Sequence, residues 1–208
     1  MRYLIFDFNG TVVDDLDLSL RCINHTIERY LDRKPLTLDE YKEVFTFPVK
    51  DYYTNVGFDF NKLKWEEVGQ CWMDYYLEHF KDAKIHDGIK ELLIDNHNKG
   101  NKNILLSASR IDLLKEQVEE LGLTEYFDEI LGMDSIYAYG KIPIGLNFIK
   151  DKNPNDCVYL GDSGHDLEVA KAMGVRCLLI AKGHESKRRL LEIHNEVYNS
   201  IGEVNLWE

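Results

Sequence analysis

The chain opens with a short apolar run, Tyr3-Leu4-Ile5-Phe6, that is β-prone and too brief for a helix. It predicts a buried strand over residues 3–8 that stops at the turn signal Asn9-Gly10. From Asp14 to about Leu31 the apolar positions Leu16, Leu20, Ile23, Ile27 and Leu31 recur every three or four residues, predicting a long amphipathic helix. Helical patterning continues over 37–82 around Pro48 and Gly57, with an aromatic group at Trp65, Trp72, Tyr75 and Tyr76. The rhythm then alternates: helix 87–98, strand 102–106, helix 110–121, a short strand near 130–133, strand 157–161, helix 164–173 and strand 176–181. Alternation of this kind predicts an α/β fold, a parallel sheet with helices on both faces. Residues 15–82 then form an all-helical insertion after the first strand, between the core segments 1–14 and 83–208. Val204 to Trp207 is expected as an edge strand.

At 208 residues the chain can bury one α/β core with a modest insertion but not two large domains. Its formal net charge of −12 excludes nucleic acid and anionic membranes as natural partners and favours a small ligand. An anionic ligand would then need a metal or a few placed lysines. The cysteines Cys22, Cys71, Cys157 and Cys177 show no zinc spacing and fit free thiols in a reducing cytosol. Asp7 interrupts the first apolar run well before signal-peptide length, so a cytoplasmic protein is expected. The pattern leaves monomer and homodimer equally open.

In an open parallel sheet, ligands sit outside the carboxyl ends of the strands. The residues just after the strands are Asp7-Phe8-Asn9-Gly10-Thr11, Ser107-Ala108-Ser109 and Gly161-Asp162-Ser163-Gly164-His165-Asp166. Taken alone, Asp7 is a helix cap or turn former, Lys141 a solvated loop charge, and Asp166 a favourable charge in a helix first turn. Ser109 and Asp112 are spaced as a capping pair for the helix that follows them. The pair Asp7 and Asp162, with a backbone carbonyl and waters, suits octahedral Mg²⁺.

Strand-Asp-x-Asx-Gly-Thr, strand-Ser, Gly140-Lys141-Ile142-Pro143 and Gly-Asp-x-x-x-Asp, in this order from Arg2 to about Leu190, resemble the haloacid dehalogenase superfamily. The resemblance implies a Rossmann-like three-layer core carrying a small helical cap. It also implies Mg²⁺-dependent hydrolysis of a small phosphorylated metabolite, with Asp7 as the nucleophile. Gly10 and Thr11 would offer backbone N–H groups to the phosphoryl oxygens, and Ser107 with Ala108 would bind the phosphoryl group. Lys141 would neutralise charge between nucleophile and phosphate. The metal ligands implied are Asp7, Asp162 and the carbonyl of Asn9, with Asp166 holding a metal-bound water or neutralising Lys141. His165 is read as a bystander, and Phe45-Thr46-Phe47-Pro48 as the substrate-facing loop of the cap. Gly161–Ala170 and Gly183-His184-Glu185-Ser186 are similar to phosphoglycolate phosphatase-like hydrolases, and Ser107–Arg110 to a hexose-phosphate mutase.

One position departs from the pattern. Active phosphatases of the superfamily carry an aspartate where this chain has Asn9, and that carboxyl protonates the leaving group and then activates water. An amide does neither. A natural member with slow or altered chemistry, an acid supplied by the cap, and a substitution that traps a complex are all compatible with Asn9. So are a phosphate-binding protein without catalysis and, with less support from Ser107 and Asp162, a dehalogenase or phosphomutase.

Overall fold

The structure, a computed structural model, describes residues 1–133 and 140–207. Six strands form one parallel sheet in the order β5-β4-β1-β6-β7-β8: β1 is Tyr3–Phe6, β4 Lys102–Arg110, β5 Glu129–Met133, β6 Cys157–Gly161, β7 Arg176–Ile180 and β8 Val197–Tyr198. β1 lies between β4 and β6, its Phe6 in register with Leu105 and Leu160, so the three chain segments carrying the motifs leave the sheet side by side. Leu4, Ile5 and Phe6 are fully buried because helices cover both faces. One face packs Leu4, Phe6 and Leu105 against Ile89 and Leu93 of α5 (Ile89–Asn98) and Leu114 and Val118 of α6 (Ile111–Glu120). The other packs Ile5, Ile104 and Tyr159 against Phe148 of α7 (Lys141–Ile149), Val169 and Ala170 of α8 (Gly164–Met173), and Leu190 of α9 (Lys187–Ile193).

Between β1 and β4 stands a small helical insertion: α1 (Leu16–Tyr30), α2 (Leu38–Val44), α3 (Val49–Val56) and α4 (Trp65–His79). It has a core of its own, Ile23 and Ile27 with Tyr41, Tyr52, Tyr53, Val56, Phe58 and Val68. A two-stranded antiparallel ribbon, β2 (Val13–Asp14) with β3 (Lys84–Ile85), clasps the two chain crossings where this bundle leaves and rejoins the sheet. No helix among the described residues is long and apolar enough to cross a membrane.

The pattern-based expectations differ from this in four places. The first strand ends at Phe6, since the chain turns at Phe8 to give Val12 N–H and Val13 N–H bonds to the Phe8 carbonyl. β4 continues past residue 106 to Arg110 through a register shift. Val204–Trp207 is not a strand; the edge is β8, and Ile201–Glu203 is a 3₁₀ turn. Trp207 instead lies under Arg2, whose guanidinium is 4.9 Å from the ring centre. Lys141 stands not in a loop but at the first residue of α7, with Pro143 in the first turn, where its missing N–H costs nothing. Residues 134–139, which join β5 to Gly140, lie outside the described residues.

Candidate active site

Asp7 follows β1 directly and is 6% exposed. Its Oδ1 accepts from the Phe8 N–H at 2.6 Å and from Lys141 Nζ at 2.5 Å, while no described residue donates to Oδ2. Lys141 is brought to the site as the first residue of α7, and it also reaches Asp166 Oδ1 at 2.8 Å. Burial penalises the Lys141 charge, but Asp166 and Asp7 more than offset that, so the ammonium is held above its ordinary range. Burial and the neighbouring Asp166 raise Asp7 well above the usual carboxylate range, against the pull of Lys141.

Asp166 is saturated. Its Oδ1 accepts from Lys141 and, at 3.2 Å, from Tyr159 OH; its Oδ2 accepts from the N–H groups of Asp162 and Ser163 and from Ser163 Oγ at 2.6 Å. Ser163 and Asp166 together make the capping box of α8, so Asp166 braces the helix and neutralises Lys141. Its pKa is lowered because Lys141 and Ser163 outweigh desolvation.

Asp162, 1% exposed, accepts from Thr11 Oγ1 at 3.2 Å and from the His184 N–H at 2.6 Å. Burial pushes it up to about 6, with His184 opposing. Two glycines make room for it. Gly10 takes φ +75°, and a Cβ there would stand 2.5 Å from Asp162 Oδ2; at Gly183 the distance would be 2.0 Å. The backbone donors expected of Gly10 and Thr11 are otherwise engaged. Gly10 N–H points to the Val13 carbonyl and Asp15 Oδ1, and Thr11 N–H to the Phe8 carbonyl. Thr11 contributes through its hydroxyl, which orients Asp162.

On the β4 side, Ser107 Oγ lies 3.1 Å from both Ser109 Oγ and the Ser109 N–H, with Ala108 half-buried between them. Ser109 is therefore not paired with Asp112 as a helix cap. Asp112 is held by Arg110 and the Leu113 N–H at the surface, and Ser109 Oγ turns inward to within 3.5 Å of Asn9 Oδ1.

Around Asn9 are three residues that the sequence pattern did not single out as site residues. Asn9 Nδ2 donates to Asp15 Oδ2 at 2.8 Å and to Tyr76 OH at 2.7 Å. Asp15 Oδ1 also pairs with His184 Nε2 at 3.2 Å, and His184 Nδ1 lies 2.8 Å from Tyr41 OH on α2. Burial alone would lower His184, yet Asp15 and Asp162 raise it to about 9. The same pairing, against desolvation, holds Asp15 below its ordinary value. The insertion thus touches the site through Tyr76 and Tyr41. Its Phe45–Pro48 loop is stacked on the core, Phe45 on His184 at 4.9 Å and Phe47 on His165 at 4.6 Å. Arg189 ties the end of α2 down by donating to the carbonyls of Lys42 and Phe45.

The site carries surplus negative charge: four buried carboxylates, Asp7, Asp15, Asp162 and Asp166, stand against two buried cations among the described residues, Lys141 and His184. Asp7, Asp162 and Asp166 each offer an oxygen within 4.8 Å of the others. With Asp166 saturated, the donors that remain are the carboxylates of Asp7 and Asp162 and the main-chain carbonyl of Asn9, which accepts no hydrogen bond from the described residues. A hard divalent cation with an all-oxygen shell fits that donor set.

Residues 4–180 match the family model described as haloacid dehalogenase-like hydrolase. The chain is 26% identical over 182 residues to a protein of Caldanaerobacter subterraneus subsp. tengcongensis provisionally named pyrophosphatase PpaX, covering 85% of this chain and 80% of that one. It is 22% identical over 200 residues to phosphoglycolate phosphatase 1 of Pseudomonas aeruginosa, covering 92% and 73%. Among solved structures, a haloacid dehalogenase-like family hydrolase from Streptococcus pneumoniae superposes with a TM-score of 0.79 at 18% identity, covering 95% of this chain and 93% of that one, a likeness of fold. The family match spans every strand-end residue described above except His184, and by it this chain belongs to the haloacid dehalogenase-like hydrolases.

Proposed function

We propose that this chain is a Mg²⁺-dependent phosphatase of small phosphorylated metabolites, working through an aspartyl-phosphate at Asp7. The observation that carries this reading is the state of the Asp7 carboxylate. One oxygen is fixed by Lys141 and the Phe8 N–H, and the other takes no donor among the described residues. A buried carboxylate so oriented is a nucleophile aimed rather than a structural anion. The cation would be held by Asp7, Asp162 and the Asn9 carbonyl, and would supply positive charge to the phosphoryl oxygens.

An Asp7 oxygen forms a bond to phosphorus while the bond to the leaving oxygen breaks, the electron pair going with the leaving group. Lys141 holds Asp7 in line and neutralises phosphoryl charge, and the Ser107 hydroxyl donates to a phosphoryl oxygen. Water then attacks phosphorus, the Asp7 O–P bond breaks, and inorganic phosphate departs. The insertion 15–82 acts as a cap, closing over the site through Phe45 and Phe47. The overall charge of −12 favours a small substrate over a nucleic acid or an anionic membrane, and four free, buried cysteines suit the cytoplasm.

Asn9 decides which leaving groups are served. General acid–base catalysis is worth ~10²–10⁴-fold, a barrier difference of about 3–5 kcal/mol. An amide forfeits it for leaving groups that need a proton. Phosphoanhydrides, acyl phosphates and aryl esters leave as stabilised anions, so they are favoured over alkyl esters. Of the two named relatives, the pyrophosphatase is the closer in that respect.

The test is a panel containing pyrophosphate, acetyl phosphate, p-nitrophenyl phosphate and alkyl phosphate esters, assayed with Mg²⁺ and with EDTA. Mg²⁺-dependent phosphate release, fastest for the anhydrides and slowest for the alkyl esters, is expected. Ligand binding without release from any of them would make the protein a phosphate-binding member of the fold instead.

A further inference from the structure

Asp15 occupies the N-cap position of α1, where an aspartate ordinarily accepts from the helix's own N–H groups. It does not: no side-chain cap bond is formed. The carboxylate takes no N–H of its helix and is 1% exposed. Its Oδ2 accepts from Asn9 Nδ2 at 2.8 Å, Tyr76 OH at 2.9 Å and Ser19 Oγ at 3.4 Å. Its Oδ1 accepts from the Gly10 N–H at 2.9 Å and pairs with His184 Nε2. Tyr76 spends its one proton on Asp15, so its oxygen is the acceptor for the second Asn9 amide proton at 2.7 Å.

Both Nδ2 protons of Asn9 are therefore taken, by Asp15 and by Tyr76. The amide cannot flip without setting Oδ1 against the Asp15 carboxylate. Oδ1 is left toward Ser109, whose Oγ lies 3.5 Å away and is itself bonded to Ser107.

We propose that Asp15 is a positioning residue matched to Asn9: with Tyr76 it locks the amide so that residue 9 offers the site an acceptor and nothing else. The placement is read from hydrogen bonds alone; its consequence for turnover rests on the function proposed above. The match predicts that position 9 cannot be changed by itself. An aspartate there would point acceptors at acceptors, two buried carboxylates about as close as Asn9 and Asp15 now stand. Exchanging the pair, aspartate at 9 with asparagine at 15, restores a donor facing an acceptor.

The experiment is a cycle of wild type, Asn9→Asp, Asp15→Asn and the double exchange. Each is measured for thermal midpoint and, with p-nitrophenyl phosphate and an alkyl phosphate in Mg²⁺, for kcat and KM. Asn9→Asp alone should lower the midpoint by roughly 5–10 °C and gain less than about tenfold in kcat. The double exchange should recover most of that midpoint and raise kcat on the alkyl ester by about 10²-fold over Asn9→Asp, with KM nearly unchanged. A single Asn9→Asp variant as stable as wild type and as active as the double exchange would overturn the pairing. If no variant turns over any ester, the phosphatase reading falls, while the midpoints still decide whether residues 9 and 15 are coupled. Should Asn9→Asp fail to fold, the Asn9 side-chain amide protons report on the wild type. They should exchange slowly with solvent and lose that protection in Asp15→Asn; rapid exchange in the wild type would refute the lock.

Discussion

The site has two halves that differ in how they are built. Asp7, Lys141, Asp162 and Asp166 stand on strand ends and helix starts of the sheet domain, with opposite charges in contact and Asp166 saturated by its own helix cap. Asn9, Asp15, Tyr76 and His184 form a second half in which the insertion supplies a hydroxyl and the key partner is a neutral amide. On the proposed mechanism, attack on phosphorus and handling of the leaving group's proton fall to separate halves. The first half holds the residues for which the family resemblance implied roles in phosphoryl transfer, and the departure at Asn9 lies in the second, where Asp15 and Tyr76 hold the amide.

The sharpest way to break this division is Asp7→Asn. It removes the nucleophile without changing shape, and turnover should fall by at least about 10³-fold while binding of inorganic phosphate in Mg²⁺ persists by calorimetry. Lys141→Met comes next. Loss of charge neutralisation should lower kcat by roughly 10²–10³-fold. It also strands buried Asp7 and Asp166, so the thermal midpoint should drop as well.

The first half was legible because Asp7 and Asp162 each follow a predicted strand, with Asp166 four residues after Asp162, and the sheet order puts those strand ends side by side, while Lys141 was marked by its Gly-Lys-x-Pro segment. The second half was hidden by residues that have ordinary explanations. Asp15 falls within the first turn of the helix expected from Asp14, and only the fold shows its carboxylate turned to Asn9. Tyr76 lies four residues after Trp72 and stacks on it at 4.9 Å, as an aromatic core stripe would, yet its hydroxyl extends past the stack. His184 lies in a loop 22 residues beyond Asp162, to which it is joined by a backbone bond. The Gly183-His184-Glu185 segment was visible as a likeness to other hydrolases, but nothing local marked the imidazole as a partner of Asp15. Helix α7 was missed because Gly140 and Pro143 punctuate its start like a loop, although proline in a helix first turn is compatible with the helix.

Smaller effects probe the second half. His184 titrates near 9 in the folded protein and near 6.5 when unfolded, so the folded state binds the extra proton more tightly. Its contribution to stability is complete below pH 6.5 and is lost as pH rises through about 9. Denaturant unfolding in EDTA should show stability declining across that window, and Asp15→Asn should flatten the decline. A slope that rises with pH, or one unaffected by Asp15→Asn, would contradict the ion pair. Smallest is Tyr76→Phe, which removes one bond to Asn9 and one to Asp15. The midpoint should fall by roughly 3–6 °C and kcat should change less than about tenfold, with Asp7-dependent chemistry intact.

The most direct test of the central claim is to incubate the protein with acetyl phosphate and Mg²⁺, quench in acid and map the modified peptide by mass spectrometry. Because Asn9 offers no base to activate water against the acyl phosphate, the intermediate should accumulate. The account predicts one added phosphoryl group, located on Asp7, that hydroxylamine removes and that Asp7→Asn abolishes. Release of phosphate with no label on Asp7 at any quench time, or a label that survives in Asp7→Asn, would contradict it.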